Sequence, residues 1–343
     1  MFKTLHVNNP EFTDETWQNY FNLLKTLSDR KQGSLSSRNA TELKERLLTY
    51  LNTWPDNSRF VIFEDNNPVG WCEVRVMDHE SEDVAVGISI DLLFSEIPPE
   101  CAKVVAVELI KILKNCGSSH ALCMATNPCS SAIVKAIGGH TTNRIDAYRL
   151  YRSKAQIELI NKWLENYPRE FPDLKIEFYD GMPEEYIEEY SRTFKQFVDE
   201  MPSEHDSPLP FHFGPDRVRK MKKYREKLGS HLYTFVLFDS SGRMIGHTNG
   251  FINEKTPKSM YQAMTGILKE YRGRGLSKWL KAALFKKIGE DFPDNEYCVT
   301  ELRAVNKPIE TVNKQMGYEL VSRGHEYDIT LEALQAVIDR ERS

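Results

Sequence analysis

The sequence predicts an α/β (α+β) chain made of two tandem domains, each a mixed central sheet flanked by helices. Three observations carry this. The length of 343 residues is about twice a typical domain of roughly 150. Runs rich in β-branched and aromatic residues alternate with helical apolar spacing, and they do so in the same order twice. Finally, landmarks recur at nearly constant offset: Gly70 and Gly246 lie 176 positions apart, and Asn127 and Asn306 lie 179 apart. Each asparagine is followed eleven residues later by a glycine, Gly138 or Gly317. One such match is easy to obtain by chance, but several in the same order point to a duplication.

The elements follow from local pattern. In the first half a strand is expected over 3–7, helices over 14–27 and 41–51, a hairpin over 59–76, a strand over 86–94 and a helix over 101–114. A strand ending at Asn127, a helix and a last strand complete it. The second half repeats the order: a strand at 174–179, helices at 183–198 and 216–228, a hairpin at 232–253, a strand at 260–268 and a helix at 276–288. Strand 297–303, helix 309–316 and strand 319–325 close it. Arg59, Phe60, Val61, Ile62 and Phe63 show the strand composition, and Leu280, Ala283, Leu284 and Ile288 show the helical spacing. The polar, partly helical stretch after residue 152 reads as a connector. The expected domains are therefore 1–153, a connector at 154–173, and 174–343.

Composition excludes several functions. The formal net charge is −5, with 40% hydrophobic and 28% charged residues. That is ordinary globular composition, and its mild acidity with interspersed signs argues against a general nucleic-acid binder. No apolar run approaches the roughly 18–20 residues that span a bilayer, and residues 1–10 lack a signal-peptide core. A cytoplasmic protein without membrane partners is the expectation. Cysteines 72, 101, 116, 123, 129 and 298 form no Cys-x-x-Cys pair, so reduced thiols and no metal site are expected. The basic run 217–227 reads as a solvated helix face.

One segment carries chemistry. Strand residues Thr265, Gly266 and Ile267 run into Arg272, Gly273, Arg274 and Gly275, and then into a helix opening with Leu276, Ser277 and Lys278. Glycines let backbone approach a ligand without a Cβ in the way. The first amides of a helix lack internal acceptors and carry partial positive charge. Together these make an anion cradle suited to a phosphate or pyrophosphate. It is no Walker loop, because Leu276 stands where the Lys of Gly-Lys-Ser/Thr would follow the glycine, and Lys278 replaces the third glycine of a dinucleotide fingerprint. The first half lacks the cradle. Its counterpart, residues 95–101, has Glu96, Pro98, Pro99 and Glu100, which remove amide donors and repel anions.

Arg272-x-x-Gly275-x-Ser277 resembles the Arg/Gln-x-x-Gly-x-Gly/Ala loop of the GCN5-related N-acetyltransferases (GNAT), and the element order agrees. The doubled architecture is similar to tandem-GNAT proteins, among them those of the mycothiol-synthase type. The resemblance covers residues 174–330 well and 1–150 more weakly. It implies two GNAT domains, the C-terminal one binding acetyl-CoA as cosubstrate and the N-terminal one degenerate. It implies that residues 273–278 wrap the pyrophosphate through backbone amides beside Arg272, that Thr265, Gly266 and Ile267 pair with the pantetheine arm, and that Asn306 lies near it. The implied reaction is direct attack of a small-molecule amine on the thioester, without a metal.

The acid and base stay open. Glu301, five residues before Asn306, matches a position where some members keep a glutamate base, and a strand carboxylate facing solvent or an arginine is the alternative. Asn313 stands where many members have a tyrosine acid, and it cannot donate a labile proton. Either another group such as Tyr261 serves, or the thiolate leaves unprotonated. His247 is a further candidate base or else a packed strand histidine. His205 and His212 match no metal spacing, and Glu200, Glu204 and Asp206 suit either a cationic acceptor or a solvated loop. Two rival functions remain: a non-catalytic acyl-CoA sensor, and a protein N-acetyltransferase. Neither the acceptor nor the oligomeric state is legible.

Overall fold

The computed structural model describes residues 1–30, 39–77, 84–205 and 213–340. The chain runs β1 (Phe2–His6), α1 (Asp14–Arg30), α2 (Ala40–Thr53), β2 (Ser58–Glu64), β3 (Asn67–Val76), β4 (Val86–Leu92), α3 (Pro99–Cys116), β5 (His120–Ala125), α4 (Pro128–Ala136) and β6 (His140–Tyr151). It continues with α5 (Ile157–Glu170), β7 (Lys175–Asp180), α6 (Ile187–Asp199), α7 (Pro215–Lys227), β8 (Ser230–Phe238), β9 (Met244–Asn253), β10 (Ser259–Ile267), α8 (Leu276–Asp291), β11 (Tyr297–Arg303), α9 (Lys307–Met316), β12 (Glu319–Thr330) and α10 (Leu331–Asp339). The α/β class and the repeated order read from the sequence hold. Helix α10 has no counterpart in that reading. Its start is nonetheless chemical: the Thr330 side chain accepts from the Ala333 amide, a serviceable N-cap.

Two compact units form. The first holds residues 1–145, 203–212 and 322–343, and the second holds 146–202 and 213–321. These units cross the repeat boundaries, because β6 runs from one into the other after Ile145 and β12 does so after Val321. In the first unit the strand order is β1-β2-β3-β4-β5-β12-β6, and in the second β6-β11-β10-β9-β8-β7. The final strand of the chain thus pairs antiparallel with β5, Tyr327 opposite Cys123. Repeat similarity alone cannot announce this, because both copies of a strand carry the same alternation.

Each unit has its own core. In the first, the apolar side of α3 (Val105, Leu109 and Leu113) packs with Phe60, Ile62, Ile88 and Tyr327, while α1 and α2 cover the other face through Trp17, Tyr20, Leu43 and Leu47. In the second, α8 buries Trp279, Leu280, Leu284 and Ile288 with Leu237, Ile245, Met260 and Cys298, and α5 adds Ile160, Trp163 and Tyr167. The opposite face of that sheet is sealed by Tyr190 of α6 and Val218 of α7. Helix α9 stops at Gly317, whose φ of +101° is a left-handed C-cap, as the eleven-residue spacing anticipates.

Candidate functional site

The site grows from an irregularity in β10. Antiparallel pairing with β9 sets Gln262 opposite Gly250, but the next pair is Thr265 with Thr248. Two residues of β10, Ala263 and Met264, therefore oppose Asn249 alone, which is a β-bulge. Its displaced backbone is held by side chains: the Met264 amide donates to Asn249 Oδ1 at 3.0 Å, and Thr248 Oγ1 donates to the Met264 carbonyl at 3.3 Å. On its other edge β10 pairs parallel with β11 only over Ser259–Tyr261 and Tyr297–Val299. Beyond that the two strands part, leaving room between Thr265–Ile267 and the start of α9.

The turn after β10 is braced on both sides. The Tyr271 hydroxyl donates to Asp239 Oδ2 at 2.9 Å. Arg272 Nε donates to the Ile267 carbonyl at 2.8 Å, and its guanidinium forms an ion pair with Glu200. Gly273 and Gly275 then adopt φ of +78° and +76°, which a side chain would strain. A Cβ at Gly275 would also lie 2.3 Å from the Tyr167 hydroxyl oxygen, whereas the space beside Gly273 is open. Gly275 precedes α8 without any side-chain cap, so the helix presents its leading amides to whatever lies before it.

These pieces enclose a cavity of about 370 Å³. Of the residues proposed from the sequence, Thr265, Gly266, Ile267, Arg272, Gly273, Gly275, Leu276, Ser277 and Asn306 line it together. Asn306 keeps its side chain out of helix capping. Arg274 and Lys278 are not in the lining. Their cations sit over aromatic rings, 4.5 Å from the Phe171 centroid and 5.5 Å from that of Trp163. Asn313 is fully buried, and neither atom of its amide has a hydrogen-bond partner among the described residues. Glu200, read from the sequence only as a loop carboxylate, also lines it. Residues the sequence reading did not name complete the lining: Phe197 of α6, Met201 and Pro202 just beyond it, Met264 in the bulge, Tyr271, and Pro308 and Ile309 of α9. Phe197 could be inferred only from the structure, since its ring lies where a Cβ on Gly266 would be, 2.0 Å away.

The three acid–base candidates separate. Tyr261 and Glu301 come together on adjacent strands, hydroxyl to carboxylate 3.4 Å, although neither lines the cavity. His247 is fully buried among Tyr190, Phe197 and Phe194, with ring centroids at 4.8, 4.9 and 5.8 Å. Burial pushes its imidazole down to about 3, and neither ring nitrogen has a hydrogen-bond partner among the described residues. It is therefore a packed, neutral ring. His205 is exposed, whereas Asp206 and His212 lie outside the described residues. Among the described residues no group of three or more His, Cys, Asp or Glu could hold a metal ion, and no helix is long and apolar enough to cross a membrane.

No protein-family model matches the sequence, and no curated protein does. Solved structures match in fold. A tandem GNAT protein from the clavulanic acid biosynthesis pathway superposes with a TM-score of 0.71 at 15% identity, covering 96% of this chain and 98% of that one. A GCN5-related N-acetyltransferase from Sphaerobacter thermophilus gives 0.59 at 12% identity and 96% coverage of both chains. A putative acetyltransferase from Pyrococcus horikoshii gives 0.56 at 11% identity, covering 96% of this chain and 89% of that one. At such identities the likeness is one of fold: this chain has the GNAT fold in tandem.

Proposed function

We propose that the cavity of the second unit binds acetyl-CoA and that the protein transfers the acetyl group to an amine of a small molecule. The observation that carries this reading is the conjunction of a left-handed glycine turn opening α8 with a bulged strand on the same cavity. The residues fit the group. Amides of 273–277 would take the diphosphate, with α8 adding its dipole. Arg272, tied to Ile267 and Glu200, would hold the turn in shape. Thr265–Ile267 would offer strand-like backbone to the pantetheine, and Asn306 a side-chain amide. Asn313, two turns further along α9, is buried outside the cavity lining.

Acetyl-CoA supplies an activated thioester. The chain's contribution is to place one backbone N–H of 265–267 where charge builds on the carbonyl oxygen, a term worth about 3 kcal/mol in other enzymes. An amine must reach the thioester neutral, and Glu301 is the carboxylate proposed to take its proton, beside Tyr261. Asn313 cannot serve as the acid. That last point favours the rival reading, an acyl-CoA sensor without turnover, and release of CoA thiol across a panel of amines separates the two.

The binding claim is tested by thermal shift with acetyl-CoA on the wild type and on Gly275→Glu. The wild type is expected to gain melting temperature and the variant to gain none. An unchanged gain in the variant would put the nucleotide elsewhere.

A further inference from the structure

Lysine 281 is only 1% exposed, midway along α8 between Leu280 and Ala282, where leucine or methionine would fill the space without a charge to bury. Its Nζ donates to Gln262 Oε1 and lies 5.3 Å from the Tyr318 ring centroid. The Tyr318 hydroxyl donates to the same Gln262 oxygen at 2.9 Å. Two donors on one oxygen set which way the Gln262 amide faces, because Lys281 in its protonated form has no acceptor to offer a flipped one. Gln262 Nε2 is thereby aimed at Thr248 Oγ1, 3.3 Å away. Thr248 in turn meets Thr265 Oγ1 at 2.7 Å and the Met264 carbonyl at 3.3 Å. A chain of buried and half-buried hydrogen bonds thus connects α8 with the β10 bulge: Thr248 accepts from Gln262, gives its one proton to the Met264 carbonyl and is met by Thr265, which lines the cavity.

We infer that Lys281 is a positioning residue for acyl transfer: by locking Gln262, and through it Thr248, it fixes the Met264–Thr265 bulge in the orientation that polarises a bound thioester carbonyl. This rests on the acyl-CoA reading of the cavity. Burial pushes the Lys281 ammonium down to about 7, in keeping with a group retained for its geometry at a cost in solvation. Packing alone would be served as well by methionine, which has similar length and no proton to place.

The test uses the full chain with [1-13C]acetyl-CoA and, separately, CoA, comparing wild type, Lys281→Met and Gln262→Glu. The glutamate variant keeps an acceptor for Lys281 and Tyr318 but loses the N–H that reaches Thr248, so it breaks the chain while leaving the lysine paired. The carbonyl resonance of bound acetyl-CoA is expected downfield of its free position in the wild type, and at least half of that displacement should vanish in both variants. The CoA dissociation constant should stay within about twofold. Equal displacement in all three proteins overturns the inference and leaves the cofactor reading standing. Loss of the fold or of CoA affinity in both variants also overturns it, in favour of a packing role. A wild type that binds neither ligand sinks the cofactor reading, and this inference with it.

Discussion

The two copies of the fold use the same register for opposite ends. In the second copy Gly246 pairs with Ile267 and His247 with Gly266; in the first, Gly70 pairs with Leu92 and Trp71 with Asp91. Thr265, Gly266 and Ile267 therefore correspond to Ile90, Asp91 and Leu92. Where the second copy has a bulge, β4 pairs with β3 without any shift in register. Where Gly266, Asn306 and Ile309 line a cavity, their counterparts bind one another. Ser130 Oγ donates to Asp91 Oδ1 at 3.2 Å, Asn127 Nδ2 donates to Ser130 Oγ at 2.7 Å, and Asn127 Oδ1 caps α4. The following helix, α3, begins at Pro99 after an extended Pro98, with no left-handed glycine before it. One copy ties these polar groups to one another; the other leaves Asn306 lining an open cavity.

The sharpest way to break this contrast is to import the first copy's residue. Gly266→Asp would drive a Cβ into the Phe197 ring, 2.0 Å away, and set a carboxylate beside the proposed thioester. Acetyl-CoA binding, read by calorimetry, is expected to disappear. Retention of wild-type affinity would mean that the strand does not face the ligand.

A smaller effect separates Trp71 from His247. Trp71 lies under the Arg59 guanidinium, 4.2 Å from ring centroid to carbon, and has no proton to lose. His247 is held near pKa 3 when folded, below its ordinary 6.5, so the unfolded chain binds a proton first as the solution is acidified. Its contribution to stability is complete above about pH 6.5 and erodes toward pH 3 at about 1.4 kcal/mol per unit. In His247→Phe, whose ring suits the aromatic surroundings, that part of the acid dependence should be missing from denaturant midpoints taken at several pH values. Parallel curves for the two proteins would show that the imidazole takes up its proton within the fold.

Much of this was legible in the residues, and the exceptions have physical reasons. Glycine spacing, strand composition and the Arg-Gly-Arg-Gly turn are local signals, and they placed α8, α9 and nine of the cavity's residues. The end of α6 was not readable, because Phe197 and Met201 look like any core residues until their neighbour across the cavity is known. The crossing of β6 and β12 between units is a choice between two equivalent pairings, on which alternation is silent. Lys281 did leave a trace, a charge inside an apolar helical run, but its partners Gln262 and Tyr318 are distant in sequence.

The finest adjustment in the comparison concerns Glu200. Glu200 lines the cavity, and its carboxylate accepts from Gln196 Nε2 at 3.0 Å and pairs with Arg272; the first copy has Ser95 and Glu96 ahead of its helix and no arginine to hold. A diphosphate arriving at residues 273–277 would meet the field of Glu200, cancelled in part by Arg272. Because both partners keep substantial solvent contact, 43% and 27% side-chain exposure, the pair is worth at most about 1 kcal/mol. In Glu200→Gln the amide can still face Arg272 while the repulsion is gone. Acetyl-CoA should then bind tighter by a few-fold, with affinity falling more steeply as salt is added, because a larger share of the binding becomes an unscreened cation meeting an anion. Weaker binding in Glu200→Gln would instead show that the ion pair is what keeps the glycine turn open, and would make Arg272 a brace before it is a charge.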